Sequence, residues 1–296
     1  MSPLHGPDLI SARAIASTTA YALSRGISVA HLETATGLPL HQLLASTTDL
    51  PVTLRNVLWE ELARQEPGTA VAFDMVETCG FSALGGLAEM VRVAPDLRCA
   101  LRCLVENSDL LGDDITFALE EFAHSCAFRL SHRRHGIGDD HAGEAAIALK
   151  LRLFRDALGP VFRVREIDIA WAANGPLARY EQEFGVVPRF ECDDGVSVVF
   201  DRALLERSPS TASVRHFQTL QMHFELQRRL RREACGETNH HERLQQAIAQ
   251  RAGSGDYSVQ GVAREAGMSV RSAQRVAATQ GRPLRHLIDD SRAAIA

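Results

Sequence analysis

Residues Val259 to Ala278 read V-Q-G-V-A-R-E-A-G-M-S-V-R-S-A-Q-R-V-A-A, and their pattern defines the C-terminal architecture. Two helices that cross steeply must approach each other at a small side chain, and Ala263 supplies it on the first helix. Gly267 tolerates the positive φ that a tight turn requires. Ser269 is a favoured N-cap for a second helix. The stretch therefore predicts a helix, a tight turn and a second helix.

The same pattern separates an inward face from an outward face. The predicted inward residues are Val262, Ala266, Met268, Ala273 and Val276. After the cap residue Ser269, the second helix presents outward Val270, Arg271, Gln274 and Arg275. Arginine can donate two hydrogen bonds to guanine, and glutamine can pair with the edge of adenine. This favours a helix that enters the major groove of DNA. The alternative is an ordinary surface helix whose arginines are solvated.

Positive charge is concentrated in this region. Between Val259 and Ile288 there are five arginines and one acid, a local excess of +4, whereas the whole chain carries −5 and the remainder therefore about −9. A basic module on an acidic body is typical of phosphate attraction confined to one end. The five basic residues are Arg264, Arg271, Arg275, Arg282 and Arg285. We expect Arg264, Arg282 and Arg285 to contact phosphates and the others to read base edges.

Towards the N-terminus, the hydrophobic period changes twice. Residues 10–110 have the helical period, with glycine stops such as Gly26. Residues 114–121 and 125–131 alternate as an antiparallel hairpin, and two further strands are predicted at 164–171 and 195–200. Helices are predicted at 143–158 and 176–184. This mixture predicts an α+β domain that closes near Pro209.

A long helix is predicted from Thr211 to Glu233, with two apolar flanks. Phe217, Leu220 and Phe224 form one flank, and Met222, Leu226 and Leu230 form the other. Two flanks indicate a helix that packs on two surfaces, one of which could belong to a partner subunit or the next domain. Burial within a single domain is the alternative. Gly236, Gly253 and Gly255 predict a polar linker up to Asp256.

The composition excludes several classes of protein. With 296 residues, 45% of them hydrophobic, the chain can form a large core. No apolar run is long enough to span a bilayer, and no secretory signal pattern is present, so we expect a cytoplasmic protein without a membrane partner. The six cysteines are scattered, which indicates a reducing compartment. Cys99 and Cys103 would share a helix face, either as a metal or redox pair or as core residues.

Several of these residues resemble a known family. Ala263, Gly267, Met268-Ser269 and residues 273–276 (A-Q-R-V), with Gly281 after the second helix, resemble the first helix-turn-helix of AraC/XylS-type transcription regulators. Upstream, the sequence is similar to the sensor domain of one branch of that family, at Pro176, Tyr180, Phe184-Gly185, Phe190, residues 199–205 and Pro209. That branch joins an α+β effector domain, unlike the sugar-binding cupin of the arabinose regulator, to the DNA-reading module.

The resemblance implies roles and also two departures. It implies that Arg271, Gln274 and Arg275 reach into DNA. The family's DNA-binding domain has two helix-turn-helix units, and only the first is recognisable before Ala296. We therefore expect this chain to bind DNA weakly as a monomer and with a steep salt dependence, which a near-nanomolar mobility shift on promoter DNA would contradict. Trp171 stands where this branch often has a histidine, which implies a specialised sensor surface.

A small-molecule effector would need a concave, mostly apolar pocket. The candidate lining residues are Cys126, Phe128, Leu130 and Trp171. The run at 132–135 (H-R-R-H) either anchors an acid or is a solvated hairpin end. Asp139, Asp140 and His141 are either a metal site or, as carboxylates favour that position, a helix N-terminus; we predict no metal and no cofactor. No hydrolase, phosphate-loop or zinc-protease motif is present, so we predict no enzyme.

Together these patterns predict three regions. They are an α+β effector-sensing domain with a small antiparallel sheet (1–209), a connector helix and linker (210–256), and an incomplete all-α helix-turn-helix module with the start of a connecting helix (257–296). The leading hypothesis is a ligand-responsive, sequence-specific transcription regulator. We expect it to be an activator, a homodimer, and a partner of double-stranded promoter DNA and an unidentified small-molecule effector. The alternative is a sensing and dimerisation module that does not bind DNA productively alone.

Overall fold

The computed structural model describes residues 8–132, 136–192, 195–254, 258–279 and 283–293. The chain divides into two compact units, the larger Met1–Phe224 and the smaller Glu225–Ala296. Each has its own hydrophobic core. Near the start of the larger unit, two short strands, β1 (Leu9–Ile10) and β2 (Leu50–Pro51), form an antiparallel pair.

Between residues 8 and 110, which the structure describes in full, seven α-helices form the first half of the larger unit, as the helical period predicts. They are α1 (Ala12–Ser24), α2 (Val29–Thr36), α3 (Leu40–Ala45), α4 (Val52–Gln65), α5 (Val71–Cys79), α6 (Gly86–Val93) and α7 (Leu97–Glu106). Their ends follow from local chemistry. The Ser28 side chain accepts a hydrogen bond from the backbone N–H of His31 at the start of α2, and Gly37 ends that helix at a φ of 69°.

A four-stranded antiparallel sheet follows, in the order β3-β4-β6-β5. The strands are β3 (Ile115–Glu121), β4 (Ser125–His132), β5 (Val164–Ile169) and β6 (Val196–Asp201). The predicted hairpin is confirmed, since Phe117 pairs with Leu130 and Glu121 with Cys126. Two further helices belong to this part, α8 (Ile137–Leu158) and α9 (Leu177–Phe184). Phe128 on β4 contacts Phe154 on α8 edge to face, with ring centroids 6.0 Å apart, so the sheet packs against α8.

The long helix α10 spans Val214–Ser254. Its first predicted flank is confirmed as core, because Phe217 and Phe224 are buried in the larger unit. The region predicted as a linker after Glu233 is helical instead. Leu244, Ala247 and Ile248 explain the difference, because they recur at helical spacing and are buried in the core of the smaller unit.

The smaller unit ends in three short helices, α11 (Val259–Glu265), α12 (Val270–Thr279) and α13 (Leu284–Ala293). Ser258 caps α11 by accepting a hydrogen bond from the Gly261 N–H at 3.0 Å. Between α11 and α12, Gly267 has a φ of 65°. Of the residues predicted to face inward, Val262, Ala266, Ala273 and Val276 are buried in this core, and Met268 is partly buried against it. Ala263, the small residue predicted at the helix crossing, is buried there as well.

Candidate functional site

The larger unit contains a cavity of about 100 Å³ among α1, α4, α5, α8 and the end of β4. Its wall is mostly apolar, with contributions from Ile10, Ala14, Met75, Val76, Leu84, Leu111, Ile115, Leu130 and Leu149. Small residues of α8 complete it: Ala142, Gly143, Ala145 and Ala146. Five polar or amphipathic side chains also line it: Thr18, Arg55, Trp59, His132 and Lys150. An apolar cavity with a few polar groups is typical of a small-molecule site.

Arg55 on the cavity wall belongs to a buried ion network. Its Nη2 donates to Asp114 Oδ2 at 2.7 Å and to Asp139 Oδ1 at 2.5 Å, and both carboxylates are inaccessible to solvent. Asn56 Nδ2 also donates to Asp139 Oδ2, at 3.1 Å. Two carboxylates therefore offset one guanidinium, and the Arg55 charge is satisfied within the fold.

Lys150 is the only lysine of the chain and lies on α8 with 2% of its surface exposed. Its Nζ donates to the backbone oxygen of Ala146 at 3.1 Å and lies 4.7 Å from the centroid of the Phe117 ring. No carboxylate of the described residues forms an ion pair with it. Burial lowers the pKa of Lys150 to about 7, from an ordinary value of 10.5. The cavity wall thus carries an ammonium group whose charge is not compensated by any acid in the described part of the chain.

We expect Lys150 to make the protein more stable as the pH rises above about 7. In the unfolded chain the lysine keeps its proton up to a pKa of 10.5, whereas in the folded chain it loses it near pH 7. The unfolded state binds more protons between these values, so the free energy of unfolding increases, by at most about 1.4 kcal/mol per pH unit. Urea unfolding of the wild type and of Lys150→Met from about pH 7 to about pH 9 measures this.

The methionine variant keeps a long apolar side chain without a titrating group, so its advantage in stability at neutral pH should shrink as the pH rises. Arg189→Met, at a side chain with 66% exposure, serves as the control and should follow the wild-type pH dependence. Parallel pH profiles for the wild type and Lys150→Met would show that the ammonium is hydrated or paired in solution.

A second buried network lies beside the cavity, around Glu144. This fully buried carboxylate accepts hydrogen bonds from the hydroxyl of Tyr180, from Asn174 Nδ2 at 3.0 Å and from Trp171 Nε1 at 3.4 Å. Burial and the Glu144 charge raise the pKa of Tyr180 well above its ordinary range. The network holds the Trp171 ring against α8 at Gly143. A Cβ atom at position 143 would lie 2.4 Å from the Trp171 ring and 2.8 Å from the His132 ring, so only glycine fits there.

His132 closes one end of the cavity wall. Its Nε2 lies 3.0 Å from the backbone oxygen of Asp139, while its buried Nδ1 has no hydrogen-bond partner among the residues that the structure describes. Burial lowers the pKa of His132, and the nearby Arg55 charge lowers it further. The imidazole is therefore neutral at physiological pH in the absence of a ligand.

The four residues predicted to bind a ligand are all buried, and one of them lines the cavity. That residue is Leu130. Cys126 donates to the backbone oxygen of Phe200 across the sheet, and Phe128 stacks on Phe117 with ring centroids 5.4 Å apart. Trp171 belongs to the Glu144 network. The sequence reasoning did not identify Arg55 or Lys150, although a lone lysine within the apolar helix of residues 143–158 is a visible signal.

The other candidate surface is the outward side of α12 and its flanks. Ser269 and Gln274 are exposed, Val270 is half-buried, and Arg264 and Arg285 are exposed on α11 and α13. Arg271 and Arg275 lie within α12, but their side chains fall outside the described residues, as does the whole of Arg282. The DNA-binding role of these residues stays a prediction at this point.

Asp139, Asp140 and His141 lie within α8, in the interior of the larger unit. Asp139 pairs with Arg55, and the His141 ring stacks on Trp59 with centroids 6.2 Å apart. In the part of the chain that the structure describes, no group of three or more metal-ligating side chains is close enough to hold an ion. Of the run at 132–135, residues 133–135 lie outside the described residues.

None of the described helices combines the length and the apolar composition that crossing a bilayer requires.

Comparisons with known proteins identify a family and a solved structure that this chain resembles. The family described as the arabinose-binding domain of AraC transcription regulators, N-terminal, matches residues 26–209, which is more than half of the chain. The chain belongs to this family of AraC-type regulators. A solved structure, the transcriptional regulator CdpR from Pseudomonas aeruginosa, shares the fold with a TM-score of 0.53. The two chains are 19% identical over 93% of this chain and 82% of that one. No curated protein matches the sequence.

Membership of the AraC-type regulators agrees with the sequence resemblance at the level of the family. The matched region contains α2 to α9 and the whole four-stranded sheet, so it includes most of the cavity wall. The matched family consists of regulator domains and not of enzymes. The AraC-type N-terminal domain is a ligand-binding domain, and the cavity is the candidate for its binding site.

Proposed function

We propose that this AraC-type protein is a ligand-responsive, sequence-specific DNA-binding regulator that activates transcription. The effector binds in the cavity of the larger unit, and the smaller unit binds promoter DNA. The observation that carries the proposal is the smaller unit itself, where two short helices flank Gly267. Ser269, just before the second helix, and Gln274, on it, are exposed. A steep helix pair with an open second helix is the geometry that enters a major groove.

In this proposal the residues of α12 and of the segments on either side of it divide by role. Arg271, Gln274 and Arg275 read base edges, with Ser269 and Val270 at the start of the same helix. Arg264, Arg282 and Arg285 hold phosphates and fix the register of the helix on the duplex. The local excess of positive charge supports DNA binding by this region, because the acidic remainder of the chain is repelled from DNA.

Selection of binding sites from a random-sequence duplex pool tests the DNA-binding role without a known operator. We expect the full chain to enrich one common sequence and to lose affinity linearly on a logarithmic salt scale. A pool that yields no common sequence at any salt concentration would contradict the proposal. Fusion of the enriched sequence to a reporter promoter then distinguishes activation from repression.

The effector response has a thermodynamic requirement. A ligand changes DNA binding only if it has different affinities for the DNA-binding and the non-binding arrangement of the protein. A ligand that raises the melting temperature should therefore also change the affinity for the enriched duplex by a measurable factor. A ligand that binds in the cavity and leaves DNA affinity unchanged would argue against regulation through this cavity.

The proposal includes pairing of two copies along α10. Met222, Leu226 and Leu230 recur every four residues and are 65%, 52% and 54% exposed. Because such a row lies on one side of a helix, two copies related by a two-fold axis can cover each other's row. The opposite flank, with Phe217 and Phe224, already packs in the core of the larger unit.

Leu226→Glu is expected to weaken the dimer at least about tenfold, because pairing would then bury an uncompensated charge. Sedimentation velocity over a range of protein concentrations measures the effect. Leu177→Glu is the matched control, since Leu177 is an equally exposed leucine (52%) on α9. A wild-type protein that stays monomeric throughout, or equal weakening by both variants, would contradict pairing along this row.

A further inference from the structure

The uncompensated ammonium group of Lys150 distinguishes the cavity from an ordinary gap in a core. The other buried cation on its wall, Arg55, is paired with two carboxylates, whereas Lys150 contacts a backbone oxygen and an aromatic face. Burying an unpaired charge costs several kcal/mol, so a core lysine without an acid is unfavourable unless something else compensates it. An anionic group brought in by a ligand would provide that compensation.

The rest of the cavity limits the ligand's size and polarity. Its volume of about 100 Å³ limits the hydrocarbon part of the ligand to a short chain. A sugar such as arabinose would place several hydroxyl groups against leucine, isoleucine and alanine side chains, where they would lose their hydrogen bonds to water. A phosphate ester needs several donors, and most of the wall has none.

We propose that the cavity binds a small apolar carboxylic acid, whose carboxylate pairs with Lys150 while its hydrocarbon part fills the space beside α8. This inference rests on the proposed role of the cavity as the effector site. The hydrocarbon contacts Leu130, Leu149 and the alanines of α8, and the carboxylate replaces Ala146 as the partner of Nζ. His132, with an unpartnered Nδ1, lies on the same wall and can donate a second hydrogen bond once protonated.

Pairing with a carboxylate also predicts uptake of a proton. The titratable groups on the wall are Arg55, His132 and Lys150, and Arg55 is already paired with Asp114 and Asp139. At neutral pH Lys150 is only partly protonated, since burial has lowered its pKa to about 7. A bound carboxylate raises that pKa again, so binding takes up protons from the buffer and weakens as the pH rises above 7.

Isothermal titration calorimetry of the full chain with pentanoate, pentanol and arabinose tests the inference. We expect pentanoate to bind most tightly and with proton uptake, as measured in buffers of different ionisation enthalpy. Lys150→Met should weaken pentanoate binding about tenfold to a hundredfold, the usual loss for a hydrogen bond to a charged group, and leave pentanol binding intact. Arg189→Met removes an exposed positive charge that is not part of the cavity wall and should change neither.

Two results would overturn the inference: pentanoate binding by Lys150→Met with wild-type affinity, or a wild type that binds pentanol or arabinose at least as tightly as pentanoate. The same experiments distinguish failure of this inference from failure of the proposed regulatory function. If pentanoate binds through Lys150 but leaves affinity for the enriched duplex unchanged, the ligand class stands and the regulatory role fails. If another ligand changes DNA affinity equally in the wild type and Lys150→Met, the regulatory role stands and the ligand class fails.

Discussion

Arg55→Leu is expected to lower the free energy of unfolding of the larger unit by about 3–5 kcal/mol. The substitution leaves Asp114 and Asp139 buried without their cation, and neither side chain is accessible to water. Most of the cost is the desolvation of two carboxylates that the guanidinium no longer offsets. Urea denaturation at neutral pH, followed by circular dichroism, measures the loss from the shift of the midpoint at constant slope.

Arg92→Leu is the matched control for this experiment. Arg92 also pairs with an aspartate, Asp156, but the two side chains are 33% and 48% exposed. Exposed pairs contribute about 0–1 kcal/mol, so this variant should unfold close to the wild type. Similar losses for the two variants would mean that the buried ion pairs of Arg55 contribute no more to stability than the exposed pair of Arg92.

Arg275→Ala should cost about 1–3 kcal/mol in affinity for the enriched duplex and relax the preference at one base pair. The reason is that an arginine can donate two hydrogen bonds to a guanine, and alanine can donate none. The measurement is a set of binding isotherms on the enriched duplex and on duplexes that change one base pair at a time. The loss should disappear on the duplex that already lacks the preferred pair.

Arg285→Ala is the contrasting variant, because we assign Arg285 to a phosphate. It should weaken binding to every duplex by a similar factor and reduce the slope of log affinity against log salt by about one. If Arg275→Ala behaves in this uniform way, Arg275 is a backbone contact. If Arg285→Ala instead changes the preference at one base pair, the division of roles on α12 and α13 must be exchanged.

Local pattern was enough to predict several elements. The alternation of Cys126, Phe128 and Leu130 predicted the hairpin, and its partners lie only a few residues away along the chain. The spacing of Ala263 and Gly267 predicted two helices and the turn between them. In these cases the information is contained in short stretches, because the side chains that contact each other are close in sequence.

Long-range pairing explains what the sequence did not predict. The helix predicted from residue 143 begins six residues earlier, at Ile137. Asp139 and Asp140 lie in its first turn, which agrees with the interpretation of these carboxylates as a helix N-terminus, although the sequence placed them just before the helix. Arg55, 84 residues away along the chain, pairs with Asp139 and so offsets the cost of burying its charge. The cavity escaped prediction for the same reason, since its wall is assembled from elements spread between Ile10 and Lys150.

The small residues on α8 have a consequence for how such proteins diversify. Ala142, Gly143, Ala145 and Ala146 form a patch of one helix where each added methyl group would subtract directly from the space left for a guest. Position 143 cannot take part, because a single carbon there would strike the indole ring opposite. Substitution of any of the three alanines by a larger residue is therefore expected to reduce the size of ligand that the cavity accepts. Lys150, one turn after Ala146, would keep its place on the wall in such variants.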